Sequence, residues 1–327
     1  MSDRVNGIDR VIAFVLEHPW ALTDEARIVV ADVLARRIAG EHASDDDIAA
    51  AVAQRRTPTT ATGGVAVIPV HGMIAPRANL LSDISGGATF EGLSETLSAA
   101  VASRPRAIVL DINSPGGNVA GAHEFAREVL AARAQVPIVA QSNHLMGSAA
   151  YWIGSAATEI VASPSSLVGG IGVYTLYADI SAALERRGVK HTLIAGGGEY
   201  KGEGADGGPL SDAALAHRKS VVEGFATQFL ADVAAGRGVD AAIVRDTFGK
   251  GRVLRAPDAL QAGMVNRIAT LHDTITRLGG SVAAPAAEAA LAIAAATAHE
   301  PQATAHERAA FFAEQLELAR QATEAEL

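Results

Sequence analysis

The stretch DINSPGGNVAGA, Asp111 to Ala122, decides the class of fold. It follows RAIVLDI (Arg106 to Ile112), a β-branched run that reads as a buried strand, and it precedes a helical pattern over Ala120 to Ala132. Between them the chain turns polar at Asn113-Ser114, Pro115 fixes a dihedral, and Gly116-Gly117 lead into the helix. Two glycines at a strand-to-helix turn free backbone N–H groups to point into a cavity, where they can hold an anion or oxyanion. The same pair also serves an ordinary left-handed turn.

Working outward, strand and helix signals alternate. VAVIPV (Val65 to Val70), VPIVAQ (Val136 to Gln141), TEIVA (Thr158 to Ala162), VKHTLIA (Val189 to Ala195) and VNRIA (Val265 to Ala269) read as strands. Ser148 to Ala156 and the long Ser211 to Ala235 read as helices. Such alternation implies an α/β domain with a largely buried sheet. Before it, residues 7–55 carry helical periodicity, with a stop at His18-Pro19, Thr23 as a possible cap and Ser44-Asp45-Asp46-Asp47 as a capping box. RTPTTATGG, Arg56 to Gly64, has linker composition. Past about Gly280 the chain becomes Ala-rich and ends in a helical pattern, HERAAFFAEQLELARQ. The expected organisation is a helical segment with linker over 1–60, a main domain over 61–280, and an Ala-rich tether with terminal helix over 281–327.

Composition narrows the function. The chain has 327 residues, 49% of them hydrophobic and only 4% aromatic, with a formal net charge of −9. That balance argues against a nucleic-acid surface, and no Lys/Arg block offsets it. No cysteine is present, which removes disulfides, thiolate metal sites and a cysteine nucleophile from consideration. No basic leader and no run of about 18 apolar residues is seen, so a cytoplasmic protein without a membrane anchor is expected. The phosphate-loop pattern is missing, GGIGVY lacks dinucleotide-binding spacing, and His123-Glu124 and His306-Glu307 lack the second histidine of a zinc-hydrolase helix. Neither a metal nor a cofactor is expected.

Two further stretches can carry chemistry. In NHLMGSAAYWIGSAA, Asn143 to Ala157, small residues crowd around the Ser148 hydroxyl. A nucleophile needs that setting, and so does a close helix–sheet contact. In GGGEYKGEGADGG, Gly196 to Gly208, Lys201 is one of a handful of lysines (the others are Lys190, Lys219 and Lys250) and sits in a glycine-rich loop. A lysine withdrawn from water loses its proton more readily and can act as a general base, although Glu199 and Glu203 favour the ammonium; a solvated loop lysine is the plainer alternative.

Taken in chain order, DINSPGG, MGSAAYWIGSAATEIVASPSSLVGGIGV, EYKGEG and GRVLRAPDALQAGMVNRI resemble the protease IV family of signal-peptide-peptidase-A-like serine peptidases. The resemblance runs from about Val65 to Leu278. It implies a Clp-protease/crotonase-like fold, Ser148 as nucleophile, Lys201 as general base, and an oxyanion hole from the backbone of Gly116, Gly117 and Ala149. EHPWALTDEA and GGVAVIPVHGMIAPRANLLSDISGGATF are similar to the phage-type branch, the head-maturation or capsid-assembly proteases. That likeness implies a capsid or scaffold protein as substrate and a homo-oligomeric ring or dome, in which the lysine can approach a neighbour's serine. Where cellular relatives carry a lysine-orienting serine, this chain has Gly170, leaving Ser165, Ser166 or a water for the task. A Clp-type Ser-His-Asp site would need a histidine about twenty-five residues after the serine, and none lies between Ser148 and His191. A cellular-type membrane-peptide peptidase, a crotonase-like acyl-CoA enzyme and an inactive assembly protein are the remaining alternatives.

Overall fold

A computed structural model describes residues 19–23, 64–77, 87–198 and 200–280. The helices expected over most of 7–55, the linker before Gly64 and the Ala-rich tail lie outside the described residues. Within the first of these stretches, Trp20–Leu22 is a strand (β1) rather than part of a helix.

From Val65 the chain alternates as its pattern implies. β2 (Val65–His71), β3 (Ala107–Ser114), β5 (Ile138–Gly147), β6 (Glu159–Ala162) and β9 (Arg267–Ile268) lie side by side in that order, each pair parallel. The crossovers carry α1 (Phe90–Ala102), α2 (Ala122–Ala132) and the short α3 (Ala149–Ser155). Between β3 and β5 comes β4 (Gly116–Asn118), outside the main sheet and antiparallel to β1. β7 (Leu167–Gly169) pairs with the far end of β5 and with antiparallel β8 (Val253–Arg255). Among the described residues the remaining α-helices are α4 (Ser181–Arg186), α5 (Asp212–Arg237), α6 (Ala241–Thr247), α7 (Ala256–Gln261) and α8 (Leu271–Arg277).

Side-chain alternation along β3 shows how the sheet is buried. Ile108, Leu110 and Ile112 join the large core formed with Phe90, Phe125, Trp152 and Phe229 from α1, α2, α3 and α5. Val109 points the other way, onto a thin layer of Val65, Val139 and Val161 that Ile275 of α8 covers. Both faces are therefore dry, as a parallel sheet requires.

The expected strand over Val189–Ala195 does not form. Val189, Leu193 and Ile194 are 44%, 46% and 92% exposed, and no described strand pairs with this segment. Apolar alternation alone makes no strand without an edge to bond.

β5 is the element that positions the site. Its register against β3 slips between Ile112 and Ser114, so that Ser114 pairs with Met146 and two extra residues bulge out over 143–145. The first half of β5 pairs with β6 and its end pairs with β7, so the strand forks and delivers Gly147 to a narrow corner.

Candidate active site

Ser148 stands at that corner, between the last residue of β5 and the first of α3. Its backbone is at φ 52°, ψ −117°, and among the described residues only Arg104 and Lys250 are other non-glycine residues at positive φ. An L-residue is held there against steric cost, on the order of 1–3 kcal/mol, only where the surroundings dictate it. Here its N–H donates to Gly169 O at 2.6 Å, extending the β5–β7 ladder by one bond, while its carbonyl already accepts from Trp152 N in α3. A sharp strand-to-helix turn of this kind lifts a serine hydroxyl off the end of a sheet.

The small residues around it serve both purposes that the sequence left open. All of α3 is buried, and a Cβ on Gly154 would come within 2.7 Å of Met146 Sδ, so the helix lies hard against the sheet. Trp152 stacks on Phe229 of α5 at 4.3 Å, and its indole N–H donates to Asp232 at 2.8 Å. Tyr151 donates to Met264 O at 2.9 Å, and burial pushes its phenol far above the usual range. Yet packing leaves the Ser148 hydroxyl over: it is fully buried, and its Oγ has no hydrogen-bond partner among the described residues.

The glycine turn lies beside it. Gly116 is at φ 102°, and a Cβ there would sit 2.9 Å from Ala149 N and 2.9 Å from Gly147 O. The structure therefore brings Gly116, Gly117, Ser148 and Ala149 into one corner. Their amides differ in availability. The Gly116 N–H donates to Ser114 Oγ at 3.1 Å, and Gly117 is paired with Ala21 of β1. Ala149 opens α3, where a first-turn N–H has no partner within its own helix.

Lys201 makes no hydrogen bond to the serine. It is exposed in a run of turns before α5, and its N–H donates to Gly198 O. Gly170 is close. At φ 71° it would place a Cβ 3.3 Å from Ser148 N and 3.7 Å from Ser148 Cβ. Ser166 is buried with its own Oγ unpartnered, whereas Ser165 is exposed. No cluster of His, Cys, Asp or Glu able to hold a metal occurs among the described residues. No described helix is long and apolar enough to cross a membrane.

What sequence reasoning missed is the neighbour on the other side. Trp20, Ala21, Leu22 and Thr23 run through the same corner, and Thr23 Cγ2 would lie 2.3 Å from a Cβ on Gly147. The available signal was an apolar triplet directly after Pro19, masked by the helical periodicity on either side of it.

Known proteins share this arrangement of sequence. Over 215 residues the chain is 32% identical to capsid assembly protease C of Escherichia phage lambda, covering 65% of this chain and 48% of that protein. It is 29% identical over 214 residues to the head-tail preconnector protein GP5 of Enterobacteria phage P21, covering 65% and 42% respectively. Protease 4 of Salmonella typhi is 28% identical over 233 residues, covering 68% of this chain and 35% of its own length. The chain thus spans about half or less of each of these relatives. Residues 131–284, which hold β5, Ser148, α3 and Lys201, match the model of peptidase family S49.

Proposed function

We propose that the protein is a serine endopeptidase with a Ser148–Lys201 dyad, acting on capsid or scaffold proteins during phage head maturation. The observation that carries it is Ser148 itself: a strained strand-to-helix serine whose buried hydroxyl has no structural partner. Ser142 and Ser166 are also buried with unpartnered hydroxyls, but of the three only Ser148 adds a positive φ at a strand-to-helix turn.

In the reaction, Ser148 Oγ attacks the peptide carbonyl and forms the C–O bond as the neutral amine of Lys201 takes its proton. The tetrahedral oxyanion is held by the Ala149 backbone N–H, and by the Gly116 and Gly117 amides once these leave Ser114 Oγ and Ala21. The resulting ammonium returns the proton to the departing amine as the C–N bond breaks, and water then hydrolyses the acyl-serine with the lysine again as base. No metal or cofactor enters. A neighbouring copy of the chain in a ring or dome can supply the lysine: Lys201 is exposed, and it follows a stretch whose Leu193, Ile194 and Tyr200 are 46%, 92% and 62% exposed. Covering that apolar stretch would also desolvate the site, which favours a neutral amine in general. The phage relatives favour a head-assembly role in the host cytoplasm or prohead over the cellular role of Protease 4.

The test is intact-mass analysis after treatment with a fluorophosphonate, comparing wild type with Ser148→Ala and Lys201→Ala. One adduct on wild type, none on Ser148→Ala and little on Lys201→Ala is expected. An adduct that survives Ser148→Ala, or none on assembled wild type, would sink the dyad and return the acyl-CoA or inactive-scaffold readings.

A further inference from the structure

The groove at Ser148 is filled by the chain itself. β1 is bonded along both edges. On one side it runs antiparallel to β4, with Trp20 opposite Asn118, Ala21 opposite Gly117 and Leu22 opposite Gly116. Beyond its ends, Val119 N–H donates to Pro19 O at 3.3 Å and Thr23 N–H donates to Pro115 O at 3.0 Å. Antiparallel bonds alternate, so Ala21 and Gly117 are the pair that exchanges both backbone bonds. On the other side Trp20 N–H donates to Tyr174 O at 2.8 Å, and Tyr174 N–H donates to Trp20 O at 3.0 Å. Trp20, Ala21, Leu22 and Thr23 are all buried.

A short extended segment clamped between two backbone edges is the way a protein holds a peptide by strand addition. Its placement fits that role. The Ala21 carbonyl lies 2.2 Å from where a Gly116 Cβ would be, and Ala149 N lies 2.9 Å from the same point. Thr23 crowds Gly147, the residue before Ser148. Glycine at 116 is thus required because the β1 backbone passes at contact distance, and at 147 because the Thr23 side chain does. With the segment in place Ser148 has no exposed surface, and a protein substrate cannot reach it.

We propose that Trp20–Thr23 occupies the substrate strand of the groove, so that the domain is closed by its own N-terminal segment. A protein substrate then enters as an extended strand, antiparallel to Gly116–Asn118, when that segment swings out. The occupant also indicates the substrate class: a small residue opposite Gly117, flanked by large apolar side chains. The proposal rests on Ser148 being the nucleophile only for its consequence; occupancy of the groove can be measured without it.

The probe is a fluorescein-labelled peptide, HPWALTDE, copied from His18 to Glu25. Its binding to the full chain is followed by anisotropy. Ala21→Pro deletes the N–H that bonds Gly117 and weakens the internal strand, so the variant should bind the peptide about tenfold more tightly than wild type, because the open state is more populated. Fluorophosphonate labelling of Ser148 should accelerate by a similar factor, and the peptide should slow it again. A second variant guards against misfolding. Trp20 and Asn118 form a non-hydrogen-bonded antiparallel pair, whose close Cα atoms suit a disulfide. Trp20→Cys with Asn118→Cys, in a chain that has no other cysteine, should bind the peptide when reduced and lose it when oxidised. Equal peptide binding by the oxidised and reduced forms, or by wild type and a cooperatively melting Ala21→Pro, would overturn the proposal and make β1 a fixed wall. Tighter binding with no labelling of Ser148 in any form would instead uphold the occupied groove and remove the nucleophile.

Discussion

Ser148 combines two unfavourable features, a positive φ and a buried hydroxyl without a partner, and neither is of use to stability. Removing the hydroxyl should therefore help the fold. Ser148→Ala is expected to gain about 1 kcal/mol, because a buried unpaired polar atom costs roughly that much, and to melt a few degrees higher while losing all labelling. A lower melting temperature would mean that the hydroxyl has a structural bond. Gly170 makes the opposite case. At φ 71°, with a Cβ position 3.3 Å from Ser148 N, Gly170→Ala should lose about 1–2 kcal/mol in chemical denaturation from left-handed strain alone. A neutral effect would show that the loop relaxes, and that a lysine-orienting serine could have stood there. These residues also show what sequence can convey about a site. MGSAAYW is ambiguous on paper because packing and catalysis both call for small side chains, and in the structure α3 meets both demands at once.

At the level of elements, the long strands were legible because β-branched runs between turn signals have few other uses. β2, β3, β5 and β6 fall where those runs are. β1 and β4 were not, since WAL and GGN have no strand pattern of their own and become strands only by bonding to each other. Val189–Ala195 is the converse, a strand pattern without an edge. The attachment of α5 was equally invisible, because it depends on one carboxylate 80 residues from its partner in sequence. Asp232 accepts from the Trp152 indole at 2.8 Å and from His123 Nδ1 at 2.6 Å, tying α5 to α3 and α2. Asp232→Ala leaves the buried indole N–H unpaired and should cost about 1–3 kcal/mol, read as a fall in melting temperature. Asp232→Asn, which retains an acceptor, should recover much of it. The capping box of α8 adds a pH-dependent case. Hydrogen bonds from the Thr270 hydroxyl and then its N–H hold the Asp273 carboxyl below its ordinary value. A depressed carboxylate stabilises the fold above its unfolded pKa and ceases to do so as pH falls through the folded one. The melting-temperature gap between wild type and Thr270→Ala should accordingly be full at neutral pH and narrow on acidification below about pH 4 to what the Asp273 N–H to Thr270 Oγ1 cap alone supplies. A gap that persists undiminished at pH 2 would assign the effect to the neutral hydroxyl cap alone.

For the whole molecule, the lack of a hydrogen bond between Lys201 and Ser148 is the feature that any catalytic account must meet. Within one chain the serine is sealed in the corner of β5 and the lysine is exposed, beyond a stretch that carries Val189, Leu193, Ile194 and Tyr200 into solvent. Two answers are open to a dyad: the 172–210 region folds back over its own Ser148, or it crosses to a neighbour. Mixing distinguishes them. Ser148→Ala and Lys201→Ala should each be inactive alone, and neither can complement the other if the dyad is built within one chain. If the lysine crosses, a one-to-one mixture reassembled from separated subunits contains sites that draw Ser148 from one variant and Lys201 from the other. With random assembly in a closed ring, such sites make up about one quarter of the total, because each of the two intact residues is supplied half the time. Recovery of about a quarter of wild-type labelling is therefore expected. It should require reassembly, so that mixing intact rings without dissociating them gives nothing. Failure to recover after verified subunit exchange would place the dyad in one chain and require the loop that carries Lys201 to close over Ser148 instead.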